Sequence, residues 1–127
     1  TTSPNCLFYM TDAWIEENGV QNLACYDTFP KFIHDALLGN GDTLPNTIRK
    51  MSGATADRFQ LKDRGYLKEG CFADITVFNE DDMKAATPDQ YKAFGIKQVV
   101  INGKTVLDGD ALDEEAIKTS GRVIRCS

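Results

Sequence analysis

The chain has 127 residues, of which 42% are hydrophobic and 26% charged, and 14 basic against 19 acidic residues give a net charge of −5. This length allows one hydrophobic core but not a complete (β/α)₈ barrel, which takes about 250 residues. The acidic balance argues against a nucleic-acid or anionic-membrane surface, because clustered cations bind phosphate. No apolar run approaches the 20 or so residues of a membrane-spanning helix. The missing initiator methionine suggests processing or a longer parent protein.

Four cysteines and a single histidine limit the metal and redox chemistry of this chain. The cysteines form no Cys-x-x-Cys pair, so a self-contained zinc site is not expected. Disulfides in a secreted protein are one interpretation of four cysteines. However, Cys6, Cys25 and Cys71 lie in apolar or strand-like sequence, where cysteine behaves as a small hydrophobic residue. We therefore expect free thiols and a reducing, cytoplasmic location.

A continuous apolar run near residues 6 to 11 predicts a strand buried on both faces, as in a parallel sheet. Asp12 follows this run directly. Parallel α/β folds place ligand-binding and catalytic groups at the carboxyl ends of their strands, so Asp12 is a candidate site residue. The structural alternative for such a carboxylate is a turn or helix cap.

Apolar residues then recur at helical spacing between polar caps and glycines. Helices are predicted near residues 28 to 38, 43 to 52 and 55 to 59. Their predicted N-caps are Asp27 or Thr28 for the first, Thr43 for the second and Thr55 for the third. The lone His34 lies in the first helix, and a packing or surface role is expected for it.

The hydrophobic period changes from near 3.6 to 2 after Gly65, which predicts a β-rich second half. Antiparallel strands are predicted near residues 73 to 78, 96 to 101 and 104 to 107, with a terminal strand at Val123–Ile124. Asn102-Gly103 is a strong signal for a two-residue type I′ hairpin. Residues 79 to 95 are polar and are predicted to form a loop that can hold one turn of helix. A short helix is predicted at 113 to 118.

The segment Arg49–Phe78 resembles the carboxyl-terminal signature of the metal-dependent amidohydrolases. In that family a helix leads to a strand with the pattern G-x-(I/L)-x-x-G-x-x-A-D-(I/L)-x-V, and Gly65–Val77 matches it. Three further segments resemble the N-acyl-D-amino-acid deacylase (D-aminoacylase) branch: Thr28–Pro30, Asp57–Gly65 and Gly121–Arg125.

The resemblance implies an α+β or α/β fragment in two parts. Residues 1–64 would be the end of a TIM-barrel catalytic domain, with its last strand and helices. Residues 65–127 would be a segment of a small antiparallel β-sandwich, also called the composite domain. In this family the last barrel strand ends in an aspartate that contacts the metal or acts as general base. The resemblance assigns both roles, catalytic and metal-binding, to Asp12.

The function implied by the resemblance is hydrolysis of the amide bond of N-acyl D-amino acids or related amides by a zinc-dependent enzyme. The His-x-His motif and the other zinc ligands would lie on earlier strands, so the isolated chain is expected to be inactive and to bind no zinc. Its expected partners are the amino-terminal portion of the same enzyme, further copies of itself and a small amide substrate. The alternative hypothesis is a free-standing, non-catalytic β-rich binding or assembly module.

Overall fold

The computed structural model of the protein describes residues 7–14, 17, 24–89 and 94–125. The elements in chain order are α1 (Ala24–Leu37), α2 (Leu44–Met51), α3 (Gly53–Arg58), β1 (Ile75–Phe78), α4 (Glu80–Ala85), β2 (Ile96–Ile101), β3 (Lys104–Asp108), β4 (Ala111–Leu112) and α5 (Glu114–Ser120). The predicted change from a helical first half to a β-rich second half is therefore confirmed. None of the helices in the described part of the chain is long and apolar enough to cross a membrane.

Helix α1 begins at Ala24, earlier than the sequence predicts. The predicted N-cap at Asp27 or Thr28 is wrong, because both residues lie inside the helix. The Thr28 hydroxyl donates a hydrogen bond to the Ala24 carbonyl at 3.0 Å, as threonine does within helices. Pro30 also lies inside the helix, where its ring removes a backbone donor. Pro30 therefore does not mark the first turn of α1, although proline often occurs at that position of a helix.

Helices α2 and α3 follow each other with one residue between them. Thr43 caps α2 as predicted, and its hydroxyl accepts a hydrogen bond from the Asn46 backbone amide at 3.4 Å. The predicted cap at Thr55 is wrong, because α3 already begins at Gly53. The Thr55 hydroxyl instead donates to the Lys50 carbonyl at 3.3 Å. This bond ties the third helix to the last turn of the second.

The predicted strand near residues 6 to 11 is wrong for the described residues 7–11, which form no strand, while Cys6 lies outside the described residues. A parallel strand needs neighbouring strands for its ladder, and this segment lies instead against helices. The backbone amide of Tyr9 donates to the Lys50 carbonyl at 3.1 Å. The Tyr9 ring lies 4.3 Å from that of Phe32 in α1, and the Phe8 ring contacts Phe59 at 5.7 Å.

The four strands found among the described residues form one antiparallel sheet in the order β1-β2-β3-β4. Asn102 and Gly103 connect β2 to β3 with φ values of 49° and 80°, and positive φ at both positions is what a type I′ turn requires. The predicted hairpin is confirmed. The predicted strand at Val123–Ile124 is wrong, since these residues lie outside the sheet and are exposed.

Two short helices connect the sheet to the rest of the chain. The predicted loop over residues 79 to 95 contains α4, which is capped by the Asn79 side chain and contacts α1. The predicted helix near 113 to 118 is confirmed as α5, which has Asp113 as N-cap and packs against β3. Met83 of α4 is almost completely buried, at 1% exposure. Helix α4 therefore links the helical half to the β half.

Gly95, just before β2, is required by both backbone conformation and packing. Its φ is 81°, and a Cβ there would lie 2.7 Å from the buried Met83 Cγ. We expect Gly95→Ala to lower the free energy of unfolding by about 2 kcal/mol or more, measured by urea denaturation. Gly70 is the matched control, because its φ is 85° and nothing lies within 4 Å of its Cβ position. Gly70→Ala should cost only about 1 kcal/mol, and an equal loss in both variants would contradict this account.

Candidate functional site

The candidate site is the irregular segment of residues 7–14 that carries Asp12, which we call the Asp12 turn. On either side of Asp12 the chain is held by contacts with α1: the buried Tyr9 ring packs on Phe32, and the Trp14 carbonyl accepts a hydrogen bond from the Cys25 thiol at 3.2 Å. Between them Asp12 is exposed, with a φ of 53°. Aspartate is one of the few residues that tolerate this left-handed conformation. The turn therefore presents a carboxylate to the surroundings.

A largely buried ion pair, between Lys50 and Asp42, lies next to the Tyr9 ring. The Lys50 ammonium is 2.7 Å from Asp42 Oδ2, and the two side chains are 1% and 14% exposed. Asn46 Nδ2 donates to the same carboxylate oxygen at 2.5 Å, and the Thr43 amide donates to Asp42 Oδ1 at 2.8 Å. The hydrogen bond from Lys50 holds the pKa of Asp42 below its ordinary value.

Sequence reasoning missed this pair, because the sequence alone does not place Lys50 on the inner face of α2. In the structure Thr47 and Lys50 lie three positions apart and both are buried at 1% exposure, so they share the inner face of α2. A lysine on the inner face of an amphipathic helix needs a carboxylate partner. The residues before the helix N-cap supply that partner as Asp42.

A second polar cluster lies at the sheet and involves residues of the predicted signature. Arg64 pairs with Asp74 and donates to Asn102 Oδ1 at 2.6 Å. The Asn102 amide donates to Asp74 Oδ1 at 2.8 Å, and Asn102 Nδ2 donates to the Ser120 carbonyl at 2.5 Å. We call this set the hairpin clasp, because it joins the loop before β1 to the β2–β3 turn and the end of α5. Its role is structural.

The remaining site predictions concern metal ligands. His34 is buried in α1, with Nδ1 3.6 Å from Asp35 Oδ1, which agrees with the packing role expected for it. Within residues 7–14, 17, 24–89 and 94–125, no three histidine, cysteine, aspartate or glutamate side chains form a group that could hold a metal ion. Asp12 can therefore supply one oxygen ligand or accept a proton, and a complete metal site would need ligands from elsewhere.

An apolar groove of about 530 Å³ lies between the helices and the first strand. Most of its wall is made of large hydrophobic side chains. These include Phe29, Ile33, Ile48, Met51, Ile75 and Phe78. A groove of this composition lies at the junction of the two halves of the chain, on the side of α1 and α2 that faces β1.

Comparison with known proteins gives relatives of one kind, although no family model matches the chain. The chain is 33% identical over 103 residues to D-aminoacylase from Alcaligenes xylosoxydans xylosoxydans, covering 78% of the chain and 21% of that relative. N-acyl-D-aspartate deacylase from the same organism is 34% identical over 77 residues, covering 58% and 15%. The chain is homologous to a segment of the D-aminoacylases. The resemblance predicted from the sequence is therefore confirmed.

Solved D-aminoacylase structures agree with this relationship. The crystal structure of a D-aminoacylase that defines a novel subset of amidohydrolases matches with a TM-score of 0.62 and 28% identity, covering 74% of this chain and 21% of that one. An aspartate-to-alanine variant in complex with copper chloride matches with a TM-score of 0.69, covering 84% and 23%. The chain thus spans about one fifth of the length of the D-aminoacylases that it matches. These relatives do not favour the alternative of a free-standing binding module.

The buried ion pair predicts an acid-dependent contribution to stability. Because the pKa of Asp42 is lowered in the folded chain, its contribution is fully present above the ordinary value of 3.8 and is lost as the pH falls through the folded value. Equilibrium unfolding of wild type and Asp42→Asn between pH 7 and pH 2 measures this contribution. We expect the wild type to be more stable at pH 7 and the difference to shrink at the acid end.

A matched control is available at the surface. Asp82 pairs with Lys97 at 2.5 Å, and both side chains are about half exposed. Exposed ion pairs contribute little to the free energy of unfolding, so Asp82→Asn should change the stability at pH 7 much less than Asp42→Asn does. A difference between wild type and Asp42→Asn that stays constant down to pH 2 would contradict the assignment.

Proposed function

We propose that this chain is the carboxyl-terminal portion of a zinc-dependent amidohydrolase that hydrolyses the amide bond of N-acyl-D-amino acids or related amides. The observation that carries the proposal is the similarity to two D-amino-acid deacylases. Metal dependence is supported by a structurally similar D-aminoacylase, which is described as having a binuclear metal centre. In this proposal residues 1–64 form the end of the catalytic barrel and residues 65–127 a segment of the β-sandwich domain.

Asp12 is the residue of this chain to which we assign the chemistry. An exposed carboxylate on an anchored turn fits the role of one metal ligand among several, since zinc accepts carboxylate oxygen. A zinc ion would act as a Lewis acid toward the amide carbonyl. The Asp12 carboxylate accepts the proton of the attacking water and passes it to the leaving amine nitrogen. The amide C–N bond breaks, and a carboxylate and an amine leave.

The rest of the catalytic apparatus would come from the amino-terminal portion of the same enzyme. The apolar groove between α1, α2 and β1 supports this, because hydrophobic surface of this kind is normally covered. In the isolated chain the same surface would drive self-association. The compartment we propose is reducing and cytoplasmic, where a thiol such as that of Cys71 stays reduced.

Substitution of Asp12 tests the catalytic assignment in the longer enzyme that contains this chain. Asp12→Asn keeps the shape and tolerates the left-handed backbone, so the fold should be kept while the base is lost. We expect kcat for an N-acyl-D-amino acid to fall by about 10² to 10⁴. Asp63→Asn is the matched control, because Asp63 is also an exposed aspartate with a φ of 57°. Full activity in Asp12→Asn would refute the assignment.

The isolated 127-residue chain offers a separate test of the proposed division of labour. One histidine and scattered cysteines do not supply the three or four ligands that zinc requires, so tight zinc binding and activity are not expected. Zinc analysis after dialysis and light scattering at micromolar concentration measure the metal content and the oligomeric state. A stable, active monomer that retains one equivalent of zinc would overturn the proposal.

A further inference from the structure

The turn that carries Asp12 depends on Lys50 through two different groups. The Lys50 carbonyl accepts the Tyr9 backbone amide at 3.1 Å, and the Lys50 ammonium lies 5.6 Å from the centre of the Tyr9 ring. Tyr9 precedes Asp12 by only three residues and is itself buried at 7% exposure. The last turn of α2 therefore fixes the chain directly before the candidate carboxylate.

The position of Lys50 is in turn set by Asp42. An ammonium at 1% exposure needs a close carboxylate, because an unpaired buried charge is strongly unfavourable. Asp42 precedes α2 and is held by the Thr43 amide and the Asn46 side chain, so it cannot shift without disturbing the start of the helix. The ion pair therefore joins the start of α2 to its last turn and locates the contact with Tyr9.

We propose that Asp42 and Lys50 are positioning residues for Asp12: their ion pair holds the Tyr9 contact and thereby sets the place of the catalytic turn. The pair does not touch the reacting atoms in this proposal. The inference rests on the role proposed for Asp12, but its structural part is testable without that role. No β-ladder holds the described residues 7–11, so their position depends on the backbone and side-chain contacts with Lys50 and with the neighbouring rings.

Trp14 gives a direct readout of the turn in the 127-residue chain, because it is the only tryptophan in the sequence and lies two residues after Asp12. Trp14 is 54% exposed, which leaves room for an increase in its exposure. We expect Asp42→Asn to shift Trp14 emission to longer wavelength and to raise acrylamide quenching by about 1.5-fold, with unchanged far-ultraviolet circular dichroism. Asp82→Asn, which breaks the exposed pair with Lys97, should leave both signals unchanged.

A second variant separates positioning from stability. Asp42→Asn combined with Lys50→Met removes both charges, and such a replacement of a buried pair often restores the stability that a single substitution loses. We expect the double variant to fold while its Trp14 quenching stays raised. Wild-type quenching in either folded variant would overturn the proposal. Failure of both variants to fold would also overturn it, because the pair would then serve folding as a whole.

The activity of the longer enzyme distinguishes this inference from the proposed function. We expect Asp42→Asn to lower kcat by about tenfold with little change in KM, since misplacement of a catalytic group affects the chemical step. In an Asp12→Ala background it should cause no further loss. Additive losses would overturn the positioning role. Full activity of Asp12→Ala would instead refute the catalytic role proposed for Asp12, while the Trp14 measurement would still decide whether the pair holds the turn.

Discussion

The helical half of this protein depends on the requirement that the Lys50 ammonium, at 1% exposure, has a carboxylate partner. The requirement is met by Asp42, which precedes the helix that Lys50 ends. One interaction therefore connects both ends of α2. Because the Lys50 carbonyl also receives the Tyr9 amide and the Thr55 hydroxyl, the same turn of helix connects the segment before α1 and the helix after α2. Short helices that are marginal on their own are made cooperative by such shared contacts.

The β half depends on a different polar cluster, the hairpin clasp of Arg64, Asp74 and Asn102. Its geometry explains why a sequence signature without catalytic residues is so specific. Asp74 accepts a hydrogen bond from the Asn102 amide at 2.8 Å and pairs with Arg64. This aspartate of the signature therefore binds the turn of the β2–β3 hairpin. Gly65 has a φ of 82° and lies against Ala56, where a Cβ would come within 2.6 Å. The signature therefore encodes the junction of helix, loop and sheet rather than chemistry.

The sequence predicted those elements whose signals are local. The Asn102-Gly103 hairpin, the Thr43 cap and the helix after Asp113 each depend on a few adjacent residues, and the structure contains all three. The strand near residues 6 to 11 failed for the opposite reason. An apolar run indicates burial but not the partner, and here the partner is a set of helices rather than a sheet. Asp12 was proposed as a candidate residue from its place after that run, whereas the ion pair of Asp42 and Lys50 joins residues eight positions apart and has no local signature.

The contacts that hold the segment around Asp12 affect how the proposed active site would assemble. The position of a residue at the end of a strand is fixed by the hydrogen bonds of the whole sheet. Here the carboxylate lies on a turn held by a ring contact at Tyr9 and a thiol-to-carbonyl contact at Trp14. Such contacts come from within the chain and do not need neighbouring strands to form first. The turn and its helices would therefore already be folded when the amino-terminal portion of the enzyme covers the apolar groove. Ordering the Asp12 carboxylate would then add little to the free-energy cost of associating the two portions.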